Sequence, residues 1–457
     1  MREKNTDSRK QEEPSSSLKD NPSLKKHFGT DGIRGIPNES LTEEIVSKVC
    51  SSVEKILSPK TIALIADTRS SSETIAMWIS NGFSQEVTIF NYGILPSGSM
   101  PILLDELNHD MGIIISASHN PSEYNGIKLI DKNGSKLSDE VEILIEETMD
   151  SIEVPKETSI IKESHLGYEN YKIFLDSIND IDFSQFNLVV DSANGAAYKI
   201  IEDIIPKNKS TATFIANKPN GSNINENSGA THTENLVNIM KDGQLGISFD
   251  GDADRLIMID ENKKVANGDV IIALLATYLS KIKKLDNESV VSTVMSNYGF
   301  KIAMKNNNFN LIETPVGDKY VAEAMKKYKA VLGGEQSGHI IFSEYLPVGD
   351  GIVTFLLVLK ALNYFNTTLS DFRKENIQEY PQKLINIELG DTLNKEELEF
   401  INQIAFELSN KKNLDGRYLI RNSGTEPLLR VLVEAKNSQE MDIFLDELLI
   451  KINDYLN

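Results

Sequence analysis

Three features are scarce in this sequence of 457 residues, and each scarcity excludes a class of protein. A single cysteine, Cys50, excludes an intrachain disulfide and a cysteine-based zinc cluster, and it indicates a reducing compartment. Positive charge is scarce, because 47 Lys and Arg face 68 Asp and Glu for a net charge of −21. A general nucleic-acid binder needs a basic surface, so that class is disfavoured. The apolar runs 352–359 and 270–279 are far shorter than the roughly 18 residues of a membrane-spanning helix, so no membrane span is expected.

The first 27 residues are polar and carry charges of both signs. They lack the apolar core of a signal peptide, and their acidic residues are unusual for a transit peptide. We therefore expect a disordered polar tail over 1–27 and a cytoplasmic location.

From residue 61 onwards, short β-branched runs alternate with amphipathic stretches, which is the pattern of α/β units with largely parallel strands. The pattern predicts three such domains, at 28–160, 161–265 and 266–376. Strands are predicted at 61–66, 87–90, 111–115, 187–191, 211–216, 245–249, 289–294, 311–314 and 330–332. Helices are predicted at 72–82, 99–108, 139–152, 195–205, 233–241, 269–282 and 352–365.

The chain changes character after Pro381. Two predicted strands, 417–421 and 429–434, are separated only by a tight loop, so they must be antiparallel, because a parallel return needs a longer crossover. Residues 377–457 are therefore predicted to form a smaller α+β domain with an antiparallel sheet. Its other predicted elements are a strand at 384–389, a helix at 395–410 and a final helix.

Each of the three α/β units contains an apolar strand that runs into a loop of small and polar residues. These loops begin at Ser116, Asp250 and Gly333. Ligands of open α/β sheets bind beyond the carboxyl ends of the strands. We therefore expect the three loops to converge on one site.

Asp250, Asp252 and Asp254 are spaced by two residues, so in an extended segment their side chains face one way. At about 4 Å and an effective dielectric constant near 20, each carboxylate pair repels by about 4 kcal/mol, so a bound cation is expected. Oxygen ligands with room for water favour Mg²⁺. A calcium-binding EF-hand is excluded, because Arg255 stands where that loop needs glycine and a strand follows instead of a helix.

Residues 421–430 join two strands through Gly, Ser and Thr, with an arginine at each end. Backbone N–H groups, two hydroxyls and two guanidinium groups in so short a span indicate phosphate binding. Ser118 is a weak nucleophile unless a base or a metal activates it. On its own, its segment does not identify a reaction.

Taken together, five motifs resemble those of the phosphohexomutase superfamily, and within it those of the bacterial phosphoglucosamine mutases. They occur in the family's order from Phe28 almost to the end of the chain. They are F-G-T-D-G-I-R-G from Phe28, S-A-S-H-N-P from Ser116, D-G-D-A-D-R from Asp250, G-G-E-Q-S-G-H from Gly333 and R-N-S-G-T-E-P-L-L-R from Arg421. The resemblance implies four domains around a central cleft, each supplying one loop.

The activity that the resemblance implies is the isomerisation of glucosamine 6-phosphate and glucosamine 1-phosphate. It implies a phosphoserine at Ser118 and a sugar 1,6-bisphosphate that is both intermediate and activator. The product would feed UDP-N-acetylglucosamine and cell-wall synthesis. The glucosamine preference is inferred from Gln336, because many phosphomannomutase/phosphoglucomutase relatives have methionine there.

Individual roles follow from the same resemblance, position by position. The metal ligands for one Mg²⁺ ion are Ser118, Asp250, Asp252 and Asp254. The catalytic residues are Ser118, Arg34, His119, Lys128, Arg255 and His339. Sugar hydroxyls are assigned to Glu335 and Ser337, and the phosphate that does not react to Arg421, Ser423, Gly424, Thr425 and Arg430. The expected partner is a hexosamine phosphate, with no nucleic acid, and the protein is expected to be a monomer or homodimer.

Two other interpretations stay open at this point. A phosphomannomutase/phosphoglucomutase would use the same loops on other hexose phosphates. A non-catalytic phosphosugar-binding protein would keep the arginines and lose the serine or an aspartate, whereas this chain has them all.

Overall fold

A computed structural model describes residues 25–206, 211–423 and 427–456. The predicted tail therefore lies outside the described residues up to position 24. Gly424 and Thr425, two of the predicted phosphate ligands, also lie outside them.

The first domain is built on a six-stranded sheet with helices on both faces. Its strand order is β1-β5-β4-β2-β3-β6, in which β2, β3, β4 and β6 are parallel and β1 and β5 antiparallel to their neighbours. The elements are β1 (Ile33–Gly35), α1 (Glu43–Leu57), β2 (Thr61–Ala66), α2 (Ser72–Gly82), β3 (Thr88–Ile94), α3 (Met100–Glu106), β4 (Met111–Ile115), β5 (Asn125–Asp131), α4 (Asp139–Met149) and β6 (Ile160–Glu163). The last strand extends past the predicted boundary at residue 160.

The second and third domains repeat this plan with smaller sheets, ordered β11-β10-β9-β7-β8 and β13-β12-β14-β15. The second contains α5 (Leu166–Ile178), β7 (Asn187–Asp191), α6 (Ile200–Ile204), β8 (Thr211–Ile215), α7 (Glu234–Ile239), β9 (Leu245–Phe249), β10 (Leu256–Ile259) and β11 (Val265–Ala266). The third contains α8 (Gly268–Lys281), β12 (Ser289–Thr293), α9 (Tyr298–Asn306), β13 (Asn310–Thr314), α10 (Asp318–Tyr328), β14 (Leu332–Gly334), β15 (Ile340–Phe342), α11 (Gly351–Phe365) and α12 (Leu369–Asn376).

The fourth domain is an antiparallel three-stranded sheet covered by two helices. Its strand order is β16-β18-β17, and both pairings are antiparallel as predicted. The elements are β16 (Gln382–Glu388), α13 (Lys395–Lys412), β17 (Gly416–Asn422), β18 (Leu428–Ala435) and α14 (Ser438–Leu456). The predicted fold class, three α/β domains and a smaller C-terminal domain with an antiparallel sheet, is confirmed.

One arrangement recurs in the three α/β domains. A parallel strand ends in a short loop, and the next strand returns antiparallel beside it; the pairs are β4 with β5, β9 with β10 and β14 with β15. The loops are too short for a parallel crossover, which explains why the sheets are mixed rather than largely parallel. Each of these loops is one that the sequence singled out.

The apolar cores show how the domains are joined. The second and third domains share one continuous buried cluster, in which Phe249 and Val270 take part together with Phe355. The cluster of the fourth domain is made from its own residues, as is the main cluster of the first domain, although Ile102 of the first domain belongs to the shared cluster. The fourth domain is therefore attached to the rest mainly by other means than a shared apolar core.

Strands 61–66, 111–115, 187–191 and 245–249 are confirmed at the predicted bounds. The helix predicted at 195–205 is wrong, since only Ile200–Ile204 is helical. The reason is local: Ala193 and Asn194 have positive φ, and a Cβ on Gly195 would lie 2.3 Å from the Gly251 carbonyl oxygen, so this segment packs as turns against the aspartate loop. No single helix in the described ranges is long and apolar enough to cross a membrane; α11 and α12 meet that test only as a pair, bent by 77°.

Candidate active site

Ser118 lies at the end of β4 and is 1% exposed. Its hydroxyl donates to Asp250 Oδ2 at 2.7 Å, and His119 Nδ1 lies 3.3 Å from the Ser118 hydroxyl oxygen. The backbone of Ser118 has φ of 51°, in the left-handed region, so the loop presents this side chain in a conformation that needs support from its surroundings.

That support comes from Arg69, which the sequence did not single out. Its guanidinium donates to the carbonyl oxygens of Ser118 (3.1 Å), Asn120 (2.8 Å) and Tyr124 (2.9 Å), and to that of Pro121. Its Nε donates to Asp67 Oδ2 at 3.0 Å, and both side chains are fully buried. Arg69 thus fixes the backbone of the loop that carries Ser118, hereafter the serine loop.

A second clamp comes from the second domain. Asn225 Nδ2 donates to the carbonyl oxygens of Ser118 and Asn120, both at 2.9 Å. The serine loop is therefore held by the first and second domains together. Asn225 lies in a segment for which the sequence gave no role.

The three aspartates of the second loop, hereafter the triad, are buried together. Asp250, Asp252 and Asp254 each offer a carboxylate oxygen within 4.8 Å of the others. Among the described residues, Oδ1 of Asp252 and Oδ1 of Asp254 are buried without a hydrogen-bond partner. Burial, and then the charges of Asp254 and Asp252, raise the pKa of Asp250 well above its usual range. Buried, mutually repelling and partly unpaired carboxylate oxygens fit a hard divalent cation, so the triad can hold a metal ion.

Lys128 lies beside the triad with 2% of its surface exposed. Its Nζ donates to Asp252 Oδ2 at 2.7 Å and to Asp254 Oδ2 at 3.3 Å. Burial by itself lowers the pKa of Lys128, but Asp252, Asp31 and Asp254 raise it well above its usual value. The lysine is therefore a fixed positive charge in the site.

Six charged side chains of alternating sign form a closed ring through the site. Asp31 pairs with Lys128 at 2.9 Å and also with Lys136, which pairs with Asp318 at 2.5 Å. His339 closes the ring between Asp318 (3.5 Å) and Asp254 (3.6 Å). Burial lowers the pKa of His339, but Asp254 and Asp318 outweigh it and raise that pKa to about 9. The ring joins the first three domains, and we call it the charge ring.

The remaining predicted catalytic residues surround Ser118. Arg255 Nε lies 3.8 Å from Asp250 Oδ2, and the Arg255 backbone pairs with that of His339. Arg34 is held by Asp31 and donates to Asn120 Oδ1 at 3.3 Å. Burial, followed by the charges of Arg255 and Arg34, lowers the pKa of His119 to about 4, so its imidazole is neutral at neutral pH.

The loop from Glu335 to His339, hereafter the sugar loop, joins this group through the backbone. Leu256 N donates to the Gly338 carbonyl oxygen at 2.9 Å, which ties the sugar loop to the strand after the triad. Glu335 is buried and accepts from Gly317 N at 3.1 Å, whereas Ser337 is exposed. Gln336, from which a glucosamine preference was inferred, donates its amide to the buried carboxylate of Asp269 at 3.2 Å.

The fourth predicted loop stands in its own domain. Arg421 on β17 and Arg430 on β18 face each other in register, and we call them the arginine pair. Burial and the neighbouring Arg430 lower the pKa of Arg421. Ser423 is buried, and its N–H donates to the Leu428 carbonyl oxygen at 2.8 Å. Like charges directly opposite on a ladder are unfavourable, so the arrangement suits a bound anion.

The structure therefore brings together the predicted residues of the first three loops. The site residues that the sequence did not predict are Asp31, Arg69, Lys136, Asn225 and Asp318. The one available signal was the position of Asp67 and Arg69 directly after a buried strand, where site residues of α/β sheets tend to lie.

Comparison with protein families gives matches along almost the whole chain. Residues 25–156, 169–264 and 267–380 match the phosphoglucomutase/phosphomannomutase alpha/beta/alpha domains I, II and III, respectively. Residues 384–450 match the C-terminal domain of the same family.

Similar proteins carry the name phosphoglucosamine mutase. One from Alkaliphilus oremlandii is 39% identical over 449 residues, covering 94% of this chain and 100% of the relative. Another from Clostridium kluyveri is 40% identical, covering 91% and 96%. The Bacillus subtilis protein is 36% identical, covering 93% and 97%.

Solved structures share the fold at lower identity. A phosphoglucomutase/phosphomannomutase family protein from Burkholderia thailandensis superposes with a TM-score of 0.77 at 19% identity, covering 94% of this chain and 98% of the other. N-acetylphosphoglucosamine mutase from Aspergillus fumigatus, in complex with GlcNAc-6P and magnesium, gives a TM-score of 0.64 at 18% identity, with coverages of 94% and 96%. At these identities the likeness shows the fold.

Proposed function

Because the chain belongs to the phosphoglucomutase/phosphomannomutase family, we propose that it is a phosphoglucosamine mutase, which interconverts glucosamine 6-phosphate and glucosamine 1-phosphate. The substrate assignment is supported by the relatives of that name, at 36–40% identity over most of the chain. The observation that carries the chemistry is the buried Ser118 hydroxyl, 2.7 Å from Asp250 in an acidic triad.

In the proposed reaction, phosphorylated Ser118 gives its phosphoryl group to O1 or O6 of the sugar phosphate. The P–O bond to the serine breaks, a P–O bond to the sugar forms, and the sugar hydroxyl passes its proton to a base in the site, for which neutral His119 is the candidate. The 1,6-bisphosphate then reorients, and its other phosphoryl group returns to Ser118. The serine ends each completed turnover phosphorylated. If the bisphosphate dissociates before the second transfer, Ser118 is left without its phosphate, and added sugar bisphosphate restores it and so acts as an activator.

The chain's own charges suit this transfer. Lys128 and His339 are held in their protonated forms by neighbouring carboxylates and stabilise negative charge beside Ser118. Neutral His119, next to the serine oxygen, can accept a proton. Arg255 lies at the same oxygen cluster and would contact the serine phosphate.

The triad would hold one Mg²⁺ ion together with a phosphoserine oxygen. When bound, the ion neutralises charge on the transferring phosphoryl group. Among the described residues, Asp252 Oδ1 and Asp254 Oδ1 are buried in the triad without a hydrogen-bond partner, so both oxygens are free to bind such a cation.

Substrate would be held at two further places. Glu335 and Ser337 would bind the sugar hydroxyls and accept either orientation of the sugar. The distal phosphate would be bound by Arg421, Ser423, Gly424, Thr425 and Arg430. A site that binds the unreacting phosphate in both orientations of the sugar would allow one serine to exchange its phosphoryl group with both O1 and O6.

The test is turnover of glucosamine 6-phosphate in a coupled assay with Mg²⁺ and a sugar bisphosphate. Ser118→Ala should lose at least about a thousandfold in kcat, because the phosphoryl carrier is gone. Ser122→Ala is the matched control on the same loop and should keep wild-type activity. Mass spectrometry should map one phosphate to Ser118 in the active fraction. Wild-type activity in Ser118→Ala would contradict the mechanism.

A phosphomannomutase/phosphoglucomutase remains the alternative within the family. It is distinguished by kcat/KM for glucosamine 6-phosphate against mannose 6-phosphate and glucose 6-phosphate. We expect the highest value for the amino sugar; a higher value for either neutral hexose would reassign the substrate.

A further inference from the structure

The sugar loop is fitted against the start of α8. Gly268 N donates to the Gln336 carbonyl oxygen at 2.9 Å, and a Cβ on Gly268 would lie 1.9 Å from the Glu335 carbonyl oxygen. The Gln336 amide donates to Oδ2 of Asp269, which is 2% exposed. A displacement of the sugar loop therefore changes the hydrogen bond that Asp269 accepts from Gln336.

Asp269 is also hydrogen-bonded to a second element of the third domain. The same Oδ2 atom accepts the backbone N–H of Asn297 at 2.7 Å, at the start of α9. Asn297 is also the cap of that helix, since its Oδ1 accepts from Gly299 N at 3.0 Å. One carboxylate oxygen thus joins the sugar loop to the beginning of α9.

Asn297 in turn holds the fourth domain. Its Oδ1 accepts from Tyr380 N at 2.9 Å, and its Nδ2 donates to the Tyr380 carbonyl oxygen at 2.9 Å, just before β16 begins. The same Nδ2 donates to Glu434 Oε1 at 3.1 Å. Glu434 lies on β18 and is fully buried.

Arg417 completes the connection from the side of the fourth domain. It pairs with Glu434 Oε2, and it donates to the carbonyl oxygens of Val294 (2.8 Å) and Ser296 (2.6 Å) in the third domain. We call Gln336, Asp269, Asn297, Glu434 and Arg417 the interdomain network. It is a continuous bonded path between two domains whose apolar cores are separate.

The far end of this path lies on the strands that carry the arginine pair. Arg417 pairs in register with Glu434, and Arg421 with Arg430. In both strands the two positions are four residues apart, so all four side chains lie on one face of the ladder, with the two pairs separated by about 13 Å. A tilt of the ladder about its Glu434 end therefore moves the arginine pair.

Resting on the function proposed above, we propose that Asp269, Asn297 and Glu434 are positioning residues that set the distance between the sugar loop and the arginine pair. A sugar phosphate that spans both sites has a fixed length. If the arginine pair is misplaced by about 1 Å, the reacting oxygen is misplaced at Ser118, which costs about a hundredfold in rate. Gln336 then acts through Asp269 rather than by touching the sugar.

A double-mutant cycle tests this path. Gln336→Met removes the amide that donates to Asp269, and Glu434→Gln removes the negative charge that accepts from Asn297. Gln336 and Glu434 are not bonded to each other directly and are connected only through Asp269 and Asn297. With glucosamine 6-phosphate, each change should lower kcat more than it raises KM, because the bound sugar is misplaced at Ser118. Because both act on one path, the double variant should lose at least about threefold less kcat/KM than the product of the single losses.

The matched control is Glu379→Gln. Glu379 is the neighbour of Tyr380 but accepts from Arg373 at 2.9 Å, outside the path. Its effect and that of Gln336→Met should multiply within about twofold. Independent, multiplying effects of Gln336→Met and Glu434→Gln in an active enzyme would overturn the proposal. A wild-type protein without mutase activity would instead overturn the proposed function, and this inference with it.

Hydrogen exchange covers the case in which Glu434→Gln does not fold. In Gln336→Met, the amides of 428–435 should exchange faster than in wild type, although the substitution lies in another domain. Unchanged exchange there would also overturn the proposal.

Discussion

At the residue scale, Ser118, the proposed phosphoryl carrier, is held through its backbone. The carbonyl oxygen of Ser118 accepts from Arg69 at 3.1 Å and from Asn225 at 2.9 Å, while its hydroxyl is left to the triad. The cost of its positive φ is offset by these bonds. The side chain can therefore gain and lose a phosphoryl group while the loop stays in place.

Arg69→Met should destabilise the first domain by about 3–5 kcal/mol, because it leaves the buried carboxylate of Asp67 and the carbonyl oxygens of the serine loop unpaired. Urea unfolding followed by the fluorescence of Trp78, the single tryptophan, reports on this domain. The control, Lys60→Met, removes an exposed pair with Glu86 and should leave the midpoint unchanged. Equal midpoints for both variants would contradict a structural role for Arg69.

The residues whose side chains suit the reaction could be predicted from the sequence, whereas the residues that position them could not. Ser118 and the triad stand in short motifs whose residue types suit phosphoryl transfer. Asp318 carries no such signal, because its role arises only when the third domain places it 2.5 Å from Lys136 of the first. Such contacts depend on how domains pack, which local sequence does not encode.

At the element scale, the hairpin of β17 and β18 concentrates positive charge. Its arginine pair places two guanidinium groups on one face of the ladder, and opposite like charges weaken such a pair of strands. A bound phosphate, as proposed for this site, would convert this repulsion into two charge-assisted contacts.

Arg421→Met should therefore protect the ladder in the absence of ligand and abolish the protection that ligand adds. The measurement is hydrogen exchange of 416–422 and 428–435 with and without glucosamine 6-phosphate. Lys436→Met is the control, since Lys436 lies at the other end of the ladder, is half exposed and pairs with Asp415. Ligand protection that survives in Arg421→Met would show that the phosphate binds elsewhere.

Elements with a continuous apolar run were predictable, and elements defined by their partners were not. Strands 111–115 and 245–249 are confirmed because every residue in them is buried on both faces of a sheet. β5 (Asn125–Asp131) was not predicted: it carries Lys128 and Asn125, which are buried only because the triad and α2 satisfy them. The local hydrophobic pattern of a sequence indicates which residues are buried against apolar neighbours. It does not indicate which polar or charged residues are buried against polar partners.

At the scale of the whole molecule, the triad and the charge ring lie where the first three domains meet. Separate loops contribute Lys128, Asp254 and His339, and their charges are buried together. Burial, followed by the charges of Asp254 and Asp252, raises the pKa of Asp250 well above its usual range. The assembled cleft should therefore gain stability from a cation.

Mg²⁺ at a hundredfold excess over its Kd should stabilise the wild-type protein by about 3 kcal/mol. Asp250→Asn should be more stable than wild type without metal, because it removes a repelling charge, and should lose most of the Mg²⁺-dependent gain. Thermal unfolding with EDTA or Mg²⁺ measures both effects. Asp242→Asn, at a fully exposed position, should respond to Mg²⁺ as wild type does; a full gain in Asp250→Asn would contradict the assignment of the triad.

The charge ring also has a consequence for synthesis on the ribosome. Lys128 precedes its partner Asp254 by 126 residues, and at translation rates of about 5–20 residues per second that interval is on the order of ten seconds. During that time Lys128 of the nascent first domain can pair with Asp31, but its partners in the triad do not yet exist, so its ammonium group must stay partly hydrated. The cleft is thus completed in the order of translation, and Ser118 lacks its contacts with Asp250 and Asn225 until the second domain has emerged and docked.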